Sequence, residues 1–243
     1  MDQVEYERLD RIDGNHWFYH GKRRIVRHWI SKAITPMPCD LLIDVGCGTG
    51  RFLLEWGGTS AFGVDSSPES LNLARQKVSI PLVQGELPRL PFRCRTAAIV
   101  IALDVLEHCL DDASSIKKLV RLLRPGGVLC ITVPALPWLW SDWDESLHHF
   151  RRYTLGSLLK IVPPDVEVLR CSYINELALL PIWIVRSLRG LLGSSHESAR
   201  AEDTVPAVWV NRLLEESLVW LACRTHYRAP VGASLLLILR RGV

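Results

Sequence analysis

The stretch LLIDVGCGTGRFLLEW, residues 41–56, decides the fold. LLIDV is a short, largely apolar run that stops at glycine, which reads as a buried strand. RFLLEW has the spacing of a helix and stops at Gly57–Gly58. Between them, glycines at 46, 48 and 50 alternate with single residues. Strand, glycine turn and helix in this order open a parallel α/β sheet, in which ligands sit beyond the carboxyl ends of the strands.

The pattern continues outward. AFGVD is a second strand. SPESLNLARQKV is a helix with Ser67 as its N-cap and Pro68 at its first position. PLVQGE, TAAIVIALDV and VLCITVP read as the third, fourth and fifth strands, and DASSIKKLVRLL as a helix ending in RPGG. TLGSLLKIV looks helical, VEVLRCSYIN reads as a sixth strand parallel to the others, and ASLLLILRR as an antiparallel last one. The expected fold is a Rossmann-like, doubly wound, mainly parallel seven-stranded sheet.

The glycine spacing separates two kinds of ligand. A dinucleotide loop is G-x-G-x-x-G, with pyrophosphate at the helix N-terminus. Here the third position of that pattern is Arg51, and Asp44 stands at the strand tip. A phosphate gains nothing from an acid there, whereas a cation does. S-adenosylmethionine, with a sulfonium, an ammonium and no phosphate, answers that description. Asp65 ends the second strand, where an acid accepts ribose hydroxyls, and Glu86 ends the third, where an acid accepts adenine amino hydrogens.

At this point the sequence resembles the class I S-adenosylmethionine-dependent methyltransferases. DVGCGTG, GVDSSP, VQGELPRLPF, ALDVLEH and LRPGGVLCITVP occur in that family's order over roughly residues 40 to 135. HWF at 16–18 and DESLHHFRRYT at 144–154 look like a bacterial subgroup of it. Glu86 departs from the family, which more often has Asp there. The resemblance implies transfer of a methyl group to an O, N or C atom of a small acceptor. It implies a cofactor site at Asp44, Gly46, Cys47, Gly48, Gly50, Asp65, Ser66, Glu86, Leu87 and Leu103. Cys47 reads as a small filler rather than a nucleophile.

Candidate catalytic residues are Asp104, His108 and His149. Four-residue spacing puts Asp104 and His108 on one face if the segment is helical, and His108 is a candidate general base. His148, Arg151, Arg152 and Tyr153 are candidate acceptor-binding residues, since forked guanidinium donors suit a carboxylate or phosphate. An alternative reading makes this segment a clasp, with an arginine paired to Asp142, Asp144 or Glu145 and Thr154 capping the next helix. His16, Trp17 and Tyr19 belong to an N-terminal segment that reads either as a lid over the cofactor or as a docked helix.

Residues 1–38 are thus expected as a helical lid, 39–175 as the cofactor-binding core, 176–228 as an apolar helical insert and 229–243 as the last strand, all one domain. The insert carries Trp183, Trp209 and Trp220 beside Arg186 and Arg189. It suits a lipid-like or aromatic acceptor or docking at a membrane surface; alternatively it packs on the core or forms a dimer face.

Composition sets the outer bounds. Apolar residues at 48% and charged residues at 23% mark a globular chain. A net charge of +3 is too mild to indicate nucleic acid, and no Asn/Asp-Pro-Pro-aromatic signature follows the fourth strand. The seven cysteines are scattered without Cys-x-x-Cys spacing, as suits a reducing, cytoplasmic setting. The eight histidines show no metal-ligand spacing, so no metal is expected. The N-terminus has no apolar signal region, and LALLPIWIV is too short to span a membrane. The expectation is a soluble protein, at most peripheral at a membrane through its insert. Competing readings are a non-catalytic S-adenosylmethionine-binding or scaffold protein and an NAD-dependent dehydrogenase.

Overall fold

The computed structural model describes residues 3–58, 60–177, 179, 205–224 and 229–242. The first apolar segment of the insert, near 176–192, lies almost wholly outside the described residues. The rest forms a seven-stranded sheet ordered β3-β2-β1-β4-β5-β7-β6. Its strands are β1 (Leu42–Val45), β2 (Ala61–Asp65), β3 (Leu82–Gln84), β4 (Ala97–Leu103), β5 (Leu123–Pro134), β6 (Val166–Ile174) and β7 (Ser234–Arg241). Strands β1 to β5 pair in parallel. β7 runs antiparallel between β5 and β6. Strand order reverses at β1/β4, so the crevice beyond those two tips is where such a sheet holds its ligand.

The helices are α1 (Gln3–Asp13), α2 (Trp17–Ala33), α3 (Arg51–Trp56), α4 (Pro68–Arg75), α5 (Asp112–Leu122), α6 (Asp142–Ser146), α7 (Leu155–Lys160) and α8 (Val208–Ala222). Two cores lie on the two faces of the sheet. Leu235, Leu237 and Leu239 of β7 face the core built with α5 and α7. Leu236 and Ile238 face the one built with α2, α3, α4 and α8. This alternation is the period-2 signature of a strand buried on both faces.

Helix boundaries follow local chemistry. The Ser67 hydroxyl accepts the Ser70 amide at 3.1 Å and caps α4, and Thr154 does the same for Ser157 at 3.1 Å, capping α7. One boundary differs from expectation. The RPGG segment, expected as the end of α5, lies inside β5 at a break in the ladder to β4. Gly126 takes φ 73°, and a Cβ on Gly127 would sit 2.9 Å from the Arg124 carbonyl and 3.0 Å from that of Ala97. Only glycine fits so close to two backbones.

α8 returns to clamp α2. Trp17 donates its amide to Asn211 Oδ1 at 2.9 Å, Asn211 Nδ2 donates to the Asn15 carbonyl at 2.8 Å, and Trp29 Nε1 donates to the Ala222 carbonyl at 3.0 Å. Arg24 reaches Glu215 at 2.5 Å and Glu216 at 2.8 Å. Gly21 lies at the crossing, where an added Cβ would meet Leu218 Cδ2 at 2.9 Å. Glycine costs a helix interior about 1 kcal/mol; here the close approach of a fully buried leucine offsets it. Gly21→Val is therefore expected to destabilise the chain by about 1–3 kcal/mol through overpacking, read as a lower urea midpoint.

A second clasp holds the chain after β5. Asp144, fully buried, accepts from Arg152 Nε at 2.8 Å and bonds His149 Nδ1 at 2.9 Å. Arg152 Nη1 also donates to the Ala135 carbonyl at 3.1 Å. Arg151 pairs instead with Asp112, at 2.9 Å, and is a third exposed. Asp144→Ala strands a buried guanidinium and should cost about 3–5 kcal/mol. Arg151→Ala should cost about 1 kcal/mol or less. Urea unfolding of the two variants side by side checks the ranking.

Candidate active site

A cavity of about 1060 Å³ opens beyond the tips of β1 and β4. Small-ligand pockets run from about 300 to 1,000 Å³, so this one stands at the top of that range.

One wall is the glycine loop. Gly46, Gly48 and Gly50 all have positive φ, at 72°, 51° and 79°. A Cβ on Gly46 would fall on Val105 Cγ2, whereas Gly48 has open space within 4 Å. Gly50 does not line the cavity: it starts α3 and lies 3.0 Å (measured from an added Cβ) from Ala74 Cβ in α4. Asp65 Oδ2 accepts the Gly48 amide at 2.9 Å and Oδ1 accepts that of Ser67 at 2.9 Å. The two strand tips are thereby tied together. Ser66, Glu86, Leu87 and Leu103 also line the cavity.

Asp44 is 2% exposed at the tip of β1. Burial, with the charge of Asp65 added, pushes its carboxyl up to about 8. No side chain among the described residues hydrogen-bonds it. Cys47 lines the same wall, and burial beside Asp44 and Asp65 pushes its thiol up, away from the nucleophilic thiolate.

The opposite wall comes from the loops after β4 and β5. Asp104, at φ 55°, accepts Thr132 Oγ1 at 3.1 Å and pairs with Lys22 of α2. Burial would raise the Asp104 carboxyl, but the ammonium of Lys22 outweighs it and holds the group below the usual range. Asp104 and His108 do not share a long helix. Leu106–His108 is one 3-10 turn, and left-handed Asp104 precedes it.

The His108 and His149 rings meet edge to face at 4.7 Å between centroids. Burial and the neighbouring His149 push His108 down to about 4. Phe150 donates its amide to the Glu107 carbonyl at 2.8 Å, which zips the two loops together. His148, exposed and at φ 57°, lies on the cavity rim, and Arg152 faces the cavity from its clasp.

Arg151 and Tyr153 stand apart from this cavity. Tyr153 is 2% exposed and donates to Asp112 Oδ2 at 2.9 Å, and Arg151 holds the same carboxylate from outside. The clasp reading describes Arg152, which pairs with Asp144, whereas Arg151 and Tyr153 share Asp112, a partner the sequence did not suggest. Arg151 also donates to the Leu110 carbonyl at 2.9 Å, so both Nη atoms are directed away from the cavity.

Lys22 and Glu107 lie in this wall without having been singled out in the sequence. Lys22 sits in the basic run GKRR, which reads as a solvated helix face, yet it is 5% exposed, with its ammonium 4.5 Å from the Phe18 ring centroid. Glu107 is fully buried.

Comparison with known proteins agrees with this geometry. The family model of the methyltransferase domain matches residues 43–131. Trans-aconitate 2-methyltransferase of Azoarcus sp. is 35% identical over 120 residues, 47% of this chain and 45% of that protein. Malonyl-[acyl-carrier protein] O-methyltransferase of Enterobacter lignolyticus is 27% identical over 209 residues, 79% of this chain and 80% of that one. The chain thus spans less than half of the first relative's length and four-fifths of the second's. A methyltransferase solved in complex with the Haloferax volcanii Trm112 activator shares the fold, with a TM-score of 0.63 at 17% identity over 99% of this chain and 95% of that one. Glycine loop, acid-tipped strands, sheet order and relatives converge: residues 43–131 form a methyltransferase domain of the class I S-adenosylmethionine-dependent type, whose cofactor is S-adenosylmethionine.

Proposed function

We propose that this chain transfers the methyl group of S-adenosylmethionine to a small, largely apolar acceptor. The observation that carries the reading is the division of one cavity into an acidic, glycine-lined wall and a histidine-lined wall. The first wall fits the cofactor. Gly48 leaves open space where any other residue would place a Cβ, and Asp44 is a buried carboxylate in need of a cation. In this reading Asp44 pairs with the ligand's ammonium, Asp65 and Ser66 receive the ribose, and Glu86 with Leu87 borders the adenine.

Bound there, the cofactor supplies a methyl group already activated on a sulfonium, so the protein's task is alignment and exclusion of water. His108 and His149 present ring lone pairs to the acceptor's nucleophilic atom and polarise its X–H bond by accepting a hydrogen bond. Lys22 fixes Asp104 beside them. Trp17, Phe18 and Tyr19, at the start of α2, form a roof that keeps water out, which is the lid role for the N-terminal segment.

Support for an apolar acceptor comes from Leu139, Trp143, Leu177 and Leu214, which line the same cavity. Outside it, α8 exposes Val208, Trp209, Leu213 and Trp220, at 86%, 72%, 60% and 57%. That face suits peripheral contact with a membrane, where an apolar acceptor would partition. Among the described residues, no helix is long and apolar enough to cross one.

The Asp44 assignment has a measurable consequence. Its carboxyl titrates at about 8 in the free protein and near the ordinary carboxylate value once unfolded. Ionisation therefore penalises the free fold increasingly as pH rises between those values, and a bound cation relieves the penalty. Binding below about pH 8 must release a proton. Calorimetric titration with S-adenosylmethionine should show roughly one proton released at pH 6.5 in buffers of different ionisation enthalpy, with affinity rising about tenfold per pH unit below about 7.5. Asp44→Asn should abolish the proton release. Asp65→Ala should weaken both S-adenosylmethionine and S-adenosylhomocysteine at least tenfold, with NADH silent throughout. Absence of adenosyl-ligand binding to folded wild type would remove the reading.

A further inference from the structure

Glu107 is the anomaly of the active-site wall. It is fully buried, and neither carboxylate oxygen has a hydrogen-bond partner. An isolated buried carboxylate is among the costliest groups a protein can carry. Lys22 and Arg152 are near enough to act on it electrostatically, but their donors are aimed at Asp104 and at Asp144 and Ala135. What the Glu107 oxygens do face is a pair of imidazoles. One ligand atom each from Glu107, His108 and His149 lies within 4.8 Å of the others, and all three residues line the cavity.

The surroundings are those of a metal ligand set. Ligating histidines as a rule donate their second ring N–H to a carboxylate or carbonyl, which fixes the tautomer and frees the other nitrogen. His149 does this with Asp144, at 2.9 Å. With the proton assigned to Nδ1 by that bond, Nε2 is left as a lone pair. The His108 ring in turn donates an N–H to the His148 backbone carbonyl, which leaves its other nitrogen free in the same way. Two imidazoles and one carboxylate, with free positions toward a cavity, form a donor set suited to first-row divalent ions such as zinc, manganese or iron rather than to calcium.

We propose that Glu107, His108 and His149 bind one divalent transition-metal ion on the acceptor side of the cavity, and that its open positions take an oxygen of the acceptor. With the ion bound, the imidazole lone pairs are occupied, and the acceptor oxygen becomes a ligand instead of a hydrogen-bond donor to them. A Lewis acid there lowers the pKa of a bound hydroxyl. The fitting acceptor class is then one with a hydroxyl next to a second oxygen donor, able to chelate. The role in acceptor activation rests on the methyl-transfer reading; the binding of the ion does not.

The test uses the full chain, stripped with a chelator and titrated with cobalt(II), zinc or magnesium chloride alone. The expected result is one cobalt or zinc per chain, at least tenfold tighter than magnesium, with visible cobalt bands of nitrogen and oxygen ligation. Thiolate-to-cobalt charge transfer should be absent, which separates this site from exposed Cys39 and Cys94. Glu107→Gln and His149→Ala should each weaken the ion at least tenfold while S-adenosylhomocysteine affinity stays within twofold, the latter certifying the fold. No stoichiometric ion in wild-type protein that binds S-adenosylhomocysteine overturns the metal site and leaves the methyltransferase reading standing. An ion held equally by both variants overturns it as well. Ion binding without adenosyl-ligand binding supports the site and removes its link to methyl transfer.

Discussion

The site depends on one missing atom. Gly46 has no Cβ, and Val105 occupies the place where one would be. The turn after β1 and the turn after β4 are therefore in van der Waals contact rather than a side chain apart. β1 and its turn carry Asp44 and Gly48, and the turn after β4 carries Asp104, Glu107 and His108. Any larger residue at 46 would drive the two apart and strain a backbone that needs φ 72°. Proximity of donor and acceptor is the largest contribution a protein can make to a reaction whose electrophile is already activated. Here it is set by glycine packing at the point where strand order reverses.

Charge is arranged around that contact with unusual asymmetry. On the side proposed for the acceptor, Lys22 neutralises Asp104, and Arg152 neutralises Asp144, which also bonds the His149 ring. On the side proposed for the cofactor, Asp44 and Asp65 have no basic partner among the described residues, and burial, with the charge of Asp65 added, raises Asp44. Natural cores seldom leave buried acids uncompensated. Uncompensated acids of this kind cluster at functional sites, where a ligand can supply the missing charge. The N-terminal helices take part in this balance, since Lys22 belongs to α2 and α2 is held in place by α8. The described part of the insert thus packs on the helix that supplies Lys22.

Much of this was legible in the sequence. The five ordered elements from DVGCGTG to LRPGGVLCITVP specify the parallel half of the sheet, because buried parallel strands read as short apolar runs and their turns as glycine and acid. Ser67 and Thr154 announce their helices by hydroxyl capping chemistry. What was not legible depends on pairings between distant segments. Arg151 and Arg152 are neighbours with the same chemistry, yet one faces the cavity from its Asp144 clasp and the other holds Asp112 on the outside. Only the path of the chain after β5 separates them. Lys22 looks like a surface residue until α2 is laid across the mouth of the sheet. The RPGG segment reads as a stop signal, although its two glycines let β5 continue past a bulge.

Glu107 shows the same limit in its sharpest form. In ALDVLEH it reads as one more polar residue of a short turn, and His108 is the residue that attracts attention. The sequence holds no close spacing of ligands because His149 arrives from the loop after β5. The Phe150-to-Glu107 backbone bond is what brings the two loops into register. Were that bond serving stability alone, an apolar residue at 107 would serve better, since a buried carboxylate without a partner only subtracts from the fold. An acid kept there, between two imidazoles whose outer nitrogens are held by protein oxygens, is consistent with a wall shaped around a positive charge that arrives from solution.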